Sequence, residues 1–582
     1  MIQTKEMEFT TEQKEYLKGF FSGIQESGIV GKSVDSDTSQ NVIEENVYGT
    51  AVEDLCKEEK FKYEKNGLDC WQDMVAHAKE KKLPLGADIF RFKFHGLFFV
   101  GPAQDSFMLR CRIPGGALKA HQLQGLAEMS LKYASGNLDL TTRNNIQIRE
   151  IPPENIVNIL VTLYDLGLTS KGSGADNVRN ITTSPTSGFD PQEIIDTMPL
   201  AKEMHHHILG NRDLYGMPRK FNIAYDGGGS ISACADTNDI AFYAVEIPKE
   251  NGIGNDVRFR VLLGGITGHK QFASDTGIMI KKNECTLVAD AMLRVFLKNG
   301  NRTNRKKARL KYLIDEWGLE KFLSETENEF GGPLVRFPIE KCLNRPHYKK
   351  SSHIGVHPQK NPTLSYIGIT AEVGRLTADQ CKEIADLSLK FGAGEVRLTV
   401  WQNLLIPHIP NDQMPSVQKI VLNMGLDYRM TSPNAGLVAC TGNTGCKFAA
   451  ANTKYHAKKI GIHLKKNTQM DSPINIHVTG CHHSCAQHYC GDLGLIATKV
   501  QTKGQNIEGY NVFIGGGVDD EQGLGRELYT NIPAEDAPAL VTKAYKIYQD
   551  NRIQGETFVE FSRRNETAQI RSYIEASSNI PA

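Results

Sequence analysis

Apolar positions along the chain fall into short runs of helical or alternating period, separated by glycine-rich breaks. Near the start, Tyr16, Leu17, Phe20, Phe21 and Ile24 recur at helical spacing, with Thr10 or Thr11 as a cap, and predict a helix over 8–30. Residues 31–50 are polar and irregular and read as a linker. A charged stretch over 67–85 reads as partly helical, and RFKFHGLFFVG, from Arg91 to Gly101, alternates as a strand does.

Beyond this point the pattern repeats. Residues 116–152 align without a gap on residues 374–410 at a constant offset of 258, with 15 of 37 positions identical. Chance agreement at ordinary composition would be roughly 6%. Each copy reads as strand, glycine turn, amphipathic helix, glycine turn, strand. Strands are predicted just before, at 106–113 and 364–370, and a helix just after, ending at Gly167-Leu168 and Gly425-Leu426. That order is a β-α-β half of a ferredoxin-like sandwich, and two halves can form one pseudo-symmetric domain.

The correspondence extends further. NVRNITTSP (177–185) stands where the second copy has GLVACTGNTGC (436–446). PRKFNIAYDG (218–227) aligns with PINIHVTGC (473–481) at an offset of 255, and LLGGITG (262–268) with FIGGGVD (513–519). The chain therefore reads as an α+β protein made of one module used twice. The expected domains are an N-terminal segment and linker (1–105), paired half-domains (106–170 and 364–431), and two α/β domains (171–363 and 432–582). The second copy carries cysteines. The first offers Arg179, Arg219, Lys220 and Asn222 at places the alignment makes equivalent, and a pseudo-twofold would bring both sets to one site.

Composition narrows the class. A chain of 582 residues with 40% hydrophobic and 23% charged residues is ordinary for a globular protein of several domains. Its formal net charge is zero, so nothing draws it as a whole toward nucleic acid or membrane. No run of apolar residues is long enough to span a bilayer. The opening residues are acidic and lack an apolar core, so they do not read as a signal peptide, and a cytoplasmic, reducing location is expected. No G-x-G-x-x-G follows a strand, which argues against a built-in dinucleotide domain.

Five of the 12 cysteines lie within 440–490. Cys440 and Cys446 form a C-x5-C pair, Cys481 and Cys485 a C-x3-C pair, and glycines flank both. Glycine lets backbone N–H groups come close to sulfur. An iron–sulfur cluster tolerates this spacing. A structural zinc site usually pairs cysteines more closely than C-x5-C, and would make the chain a zinc-stabilised binding protein. Inert buried thiols are the third reading, and the one given to Cys490 and the scattered cysteines.

In combination, LRCRIPGG (109–116), TTRNNIQ (141–147), NVRN (177–180), PRKFN (218–222), NRTNRKKAR (301–309) and the two cysteine pairs resemble the sirohaem-containing nitrite and sulfite reductase family, over roughly residues 85–570. The resemblance implies a [4Fe–4S] cluster on Cys440, Cys446, Cys481 and Cys485, with Cys485 also the ligand to sirohaem iron. It implies Arg143, Gln147, Arg219 and Arg309 as partners of sirohaem carboxylates, with Arg302 and Arg305 as weaker candidates. Arg110, Arg179, Lys220 and Asn222 would line the pocket for a small oxyanion. Sulfite-reducing members have PRKFK where this chain has PRKFN, so Asn222 points to nitrite. Sulfite reduction on the same scaffold is the alternative. Ferredoxin is the implied electron donor, and 343–360 and 454–466 are basic segments it could dock on. The other lysines of 301–311 are expected on a solvated face, and His205–His207 on an exposed helix face. Members commonly have Pro-Asn where this chain has His482-His483; altered hydrogen bonds to the cluster and ordinary loop are the two readings, and ordinary loop is preferred.

Overall fold

The structure, a computed structural model, describes residues 45–249 and 255–577. The helix expected over 8–30 and most of the linker lie outside the described residues. The chain divides at Val47: of the first unit only residues 45–47 are described, and Tyr48–Ala582 form the second.

In the second unit the duplicated segments build two five-stranded antiparallel sheets. One runs in the order Arg375–Thr377, Asn137–Leu140, Ile146–Ile151, Phe107–Arg110, Leu97–Phe99. The other runs Gly355–Pro358, Leu364–Ile369, Leu404–Pro410, Glu395–Leu398, Ala117–Lys119. Each copy thus lends a strand to the other. Ala117 pairs with Arg397 and Lys119 with Glu395, while Asp139 pairs with Arg375 and Asn137 with Thr377. The two exchanges are related by the same offset of 258 seen in the sequence, as an isologous contact requires.

The helices of the repeat, Ala120–Tyr133 and Ala378–Phe391, pack on each other. Leu123, Leu126 and Met129 meet Cys381, Ile384 and Leu387, their counterparts, in one shared core. Both helices start alike. The side-chain oxygens of Gln122 and Gln380 accept the N–H of Lys119 and Thr377, and their amides donate to the carbonyls of Leu166 and Met424. The following helices, Ile156–Asp165 and Met414–Asn423, both end on a left-handed glycine, Gly167 and Gly425. A left-handed residue there lets the next N–H reach back and close the helix.

The α/β modules follow the same plan. Ile223–Asp226 lies parallel to Ile240–Pro248, which continues antiparallel into Asn255–Leu263 and Ser274–Ile280. In the second module Leu437–Ala439, Ile476–Thr479 and Leu493–Thr502 are parallel neighbours, and Gln505–Ile514 and Arg526–Pro533 are antiparallel. Asn222 and Asn475 each donate a backbone N–H to an aspartate, Asp239 at 2.9 Å and Asp492 at 2.8 Å. Those pairs fix the true register at an offset of 253. The offset of 255 came from aligning Pro218 with Pro473, whereas the structure sets Lys220 opposite Pro473 and Gly228 opposite Cys481. The cations therefore precede their strand and the thiols follow theirs. They are not in equivalent places, although they meet.

Residues 91–101 also differ from expectation. Phe92–His95 form a 3-10 turn ended by left-handed Gly96, and only Leu97–Phe99 is strand. The alternation has another cause: Phe92 faces the half-domain core while Phe94 faces the core of the first α/β module. Among the single cysteines, Cys56 and Cys342 are only half-buried.

Candidate active site

The parallel strands of the second module deliver Cys440 and Cys481 from neighbouring carboxyl ends, where open α/β sheets present ligand sites. The Cys440 N–H donates to the Val478 carbonyl, and Gly480 N–H donates to the Cys440 sulfur at 3.1 Å. A Cβ on Gly480 would come within 2.6 Å of the Ala449 side chain, so only glycine lets the two loops close. Thr453, at the start of helix Thr453–Asn467, donates to the Cys440 carbonyl at 2.7 Å. Burial, and then the other three cysteines, push the Cys481 thiol up to about 12. No three His, Cys, Asp or Glu side chains among the described residues are gathered to hold a single metal ion. Cys440, Cys446 and Cys485 all act electrostatically on Cys481, so the four thiols share one neighbourhood.

Cys485 is reached by solvent yet walled by protein, as on the floor of a recess. Surrounding protein and Cys440 raise its thiol, while Lys220 and Arg110 act in the opposite direction. Thr142 Oγ1 donates to the Cys485 carbonyl at 3.1 Å, so the TTRNN turn of the first copy holds the cysteine loop of the second.

The cations come from four segments. Arg110 ends the strand Phe107–Arg110 opposite Gln147, and its guanidinium lies over the Phe98 ring at 4.5 Å. Arg143 sits in the turn closed by Thr141 and Asn145 and donates to Asn238 at 2.6 Å. Arg179 donates to the carbonyls of Ser173 and Ala175, with its Nε buried and unpartnered. Asn180 bonds Ile113 through N–H and carbonyl and donates to the Arg143 carbonyl, tying NVRN to TTRNN. Lys220 and Asn222 share one face of an extended segment because the intervening Phe221 turns into the core.

Arg110, Arg143, Arg179 and Lys220 have no carboxylate within ion-pair distance among the described residues, and Lys220 makes no hydrogen bond there. Burial pulls Arg110 and Arg143 down to about 10 and lowers Arg179 and Lys220 well below their usual values; Arg309 pushes Lys220 down further. Lys93 joins the group, lowered to about 8 by burial and Lys447. Unbalanced cations in a low-dielectric recess cost several kcal/mol, roughly, unless an anion sits among them. A tetrapyrrole bearing many carboxylates is such an anion, and the thiols opposite supply the soft ligands iron takes. The residues present fit sirohaem beside a [4Fe–4S] cluster.

The remaining expected residues are partly engaged inside the chain. Arg309 forms a bidentate pair with Asp239, the carboxylate that also accepts the Asn222 N–H. Arg219 lies 3.6 Å from Asp176, which Arg305 grips with two hydrogen bonds. Arg302 is buried on Glu59. The basic run is thus not one solvated face; Lys306 and Lys307 alone of these remain fully exposed. Gln147 accepts from Arg149 at 2.6 Å. His205 is also not exposed: it is buried against Arg112, and burial takes its imidazole down to about 2. Sequence reasoning missed Asn180, Asn238, Asp239 and Thr142. For Asn180 and Thr142 the signal was adjacency to the motif arginines of NVRN and TTRNN; Asn238 and Asp239 lie in neither motif. A separate cavity of about 800 Å3, lined by Arg112, Lys119, Lys202 and Arg397 among others, touches none of these site residues.

Fold and site together define a class: a duplicated redox scaffold that sets a thiolate-bound centre against a bed for an anionic cofactor. The family described as nitrite and sulphite reductase 4Fe-4S domain matches residues 174–334 and 434–576. The nitrite/sulfite reductase ferredoxin-like half domain matches 101–165 and 357–424. The chain belongs to the nitrite and sulphite reductase family. It is 37% identical to a ferredoxin–nitrite reductase of Synechococcus elongatus, over 84% of this chain and 96% of the relative. It is 30% identical to an assimilatory ferredoxin-dependent nitrite reductase of Haloferax mediterranei, over 89% and 93%. The solved structure of the Mycobacterium tuberculosis NirA protein superimposes with a TM-score of 0.82 at 28% identity, covering 89% of this chain and 98% of that one.

Proposed function

We propose that this chain reduces nitrite to ammonium with six electrons from ferredoxin, at a sirohaem coupled through Cys485 to a [4Fe–4S] cluster. The observation that carries this reading is the meeting of four thiols from one module with unbalanced cations from the other. Cys440, Cys446, Cys481 and Cys485 hold the cluster, and Cys485, within the field of Lys220 and Arg110, is the shared ligand. When bound, the sirohaem and cluster supply the electron-transfer chemistry that side chains lack.

The chain's own residues bind, orient and protonate. Arg143, Gln147 and Arg219 meet the cofactor carboxylates. Arg309 acts from behind, holding Asp239 and through it the segment of Asn222 and Lys220. Arg110, Arg179 and Lys220 bind the nitrite oxygens; charge-assisted hydrogen bonds of about 1.5–3 kcal/mol each orient a small anion. Burial and Arg309 hold Lys220 well below its usual pKa, so its Nζ gives up a proton more readily than a solvated lysine does, which makes it the donor to a departing oxygen. Asn222 leaves the pocket one charge short of what a dianion favours, and so supports nitrite over sulfite. Among the described residues no helix is long and apolar enough to cross a membrane.

The test is the protein purified with its native cofactors. Haem-like absorption and an iron–sulfur signal are expected, with a larger kcat/KM for nitrite than for sulfite. A colourless protein would end the redox reading, and a preference for sulfite would reverse the substrate.

A further inference from the structure

His483 lies between the two cysteines of the second pair. Its Nδ1 is 3.5 Å from the Cys481 sulfur. Phe448, two residues after Cys446, meets the imidazole edge-on at 5.1 Å, and His482 packs on it at 4.3 Å. The ring is therefore held by both cysteine loops. Gly268 of the first module lies against the His482 and His483 carbonyls, where a Cβ would stand 3.5 and 3.3 Å away, so the backbone here is pinned by both modules.

We propose that His483 is a positioning residue for the cluster: its Nδ1–H donates a hydrogen bond to the Cys481 thiolate and raises the cluster's reduction potential. A cluster-bound thiolate has no proton to give, so the ring must be the donor in this contact. A donor to cluster sulfur favours the more negative, reduced state, so hydrogen bonds to sulfur move the potential upward. Neither Cys446 nor Cys485 receives a side-chain hydrogen bond at sulfur among the described residues. Cys440, by contrast, takes the Gly480 N–H at sulfur and lies 3.4 Å from Thr453 Oγ1, so His483 is the side-chain contact particular to the Cys481 corner.

This inference rests on the cluster reading above, and the experiment separates the two. His483→Leu keeps a branched side chain without a donor. His483→Asn places an amide nitrogen where Nδ1 stands, since both atoms are bonded to Cγ. Each variant and the wild type are titrated electrochemically with the cluster signal followed by electron paramagnetic resonance, after iron and sulfide are counted. The expected result is a lower midpoint potential for His483→Leu, equivalent to a fall of up to about tenfold in the reduction equilibrium, or ~59 mV for this one-electron couple. His483→Asn is expected to restore most of the difference, and His482→Asn to leave the potential in place. Should His483→Leu assemble no cluster, His483→Ala carries the same expectation. Equal potentials in cluster-loaded wild type and His483→Leu overturn the inference. Absence of a cluster from the wild type overturns instead the reading on which it rests.

Discussion

Lys220 and Asn222 show how much a single side chain decides here. They share a face because Phe221 packs against Phe296 at 5.2 Å between them. A lysine at 222 would therefore join Lys220 in the same recess. Asn222→Lys is expected to raise the ratio of kcat/KM for sulfite over nitrite about tenfold, the scale of one charge-assisted hydrogen bond. The measurement is steady-state turnover of both anions with a dye reductant. An unchanged ratio would mean that other residues set the preference. At this scale the sequence was most legible where chemistry is rare. Four cysteines among glycines, and arginines inside repeated motifs, stand out from the background. Asp239 and Asn238 do not: each is a common residue type, and their partners Arg309 and Arg143 lie 70 and 95 residues away.

Loops and strand ends carry the contacts between modules. One such contact joins the loop of Ser232 and Asp236 to that of Asp519 and Gln522. Asp519 N–H donates to Asp236 at 2.9 Å, Gln522 donates to the same oxygen at 2.8 Å, and Ser232 hydrogen-bonds Asp519. The other carboxylate oxygens of both aspartates are buried without a partner. Burial, above all, holds Asp236 up at about 6, and raises Asp519 well above the usual range with help from Asp236. In an unfolded chain an aspartate titrates near ~3.9. Below that value both states are protonated and folding is not penalised. Between about 4 and 6 the unfolded chain ionises first, so stability is lost as pH rises through that window. Asp236→Asn removes the charge and offers its amide to the pair. Its melting temperature is expected to exceed that of wild type at pH 8 and to converge on it near pH 4. A difference independent of pH would show that titration is not the cause. Elements were readable where punctuation is strong, as at Gly167 and Gly425. They were misread where one segment serves two cores, as at Phe92 and Phe94, because alternation alone does not say which core each side faces.

For the whole molecule, the expected donor is a separate protein, and its approach depends on charges left unpaired at the surface. Much of the basic segment 343–360 is used internally: Arg345 pairs with Asp226, Lys350 with Asp492 and Lys360 with Glu193. Helix Thr453–Asn467 differs. It starts beside Cys440, and Lys459, Lys465 and Lys466 are exposed along it without an ion-pair partner among the described residues. Turnover with ferredoxin is expected to fall steeply between low and physiological salt, while turnover with a small dye should change little. Parallel salt curves would remove electrostatic steering from the account. The duplication itself was legible in the sequence, because the half-domain repeat carries no gap. The facing of strand starts against strand ends was not, because proline pulled the alignment of the α/β modules two residues out of register.

The lending of strands between the two halves has one more consequence. Thr141 and Thr399 cap the two related turns with the same hydrogen bond, to the N–H of Arg143 and of Trp401, each at 3.2 Å. Asn144 and Gln402 both take the left-handed conformation beside them. The outward residue sets the two apart: Arg143 joins the bed of cations, while Trp401 stacks on His353 at 5.5 Å. Two identical chains meeting through such an exchange would have to mount the same side chain on both turns. Fused into one chain, the twin turns keep their common backbone and become independent in what they present. A frame that is twofold in shape can then be lopsided in charge, with one turn serving chemistry and its twin serving as masonry.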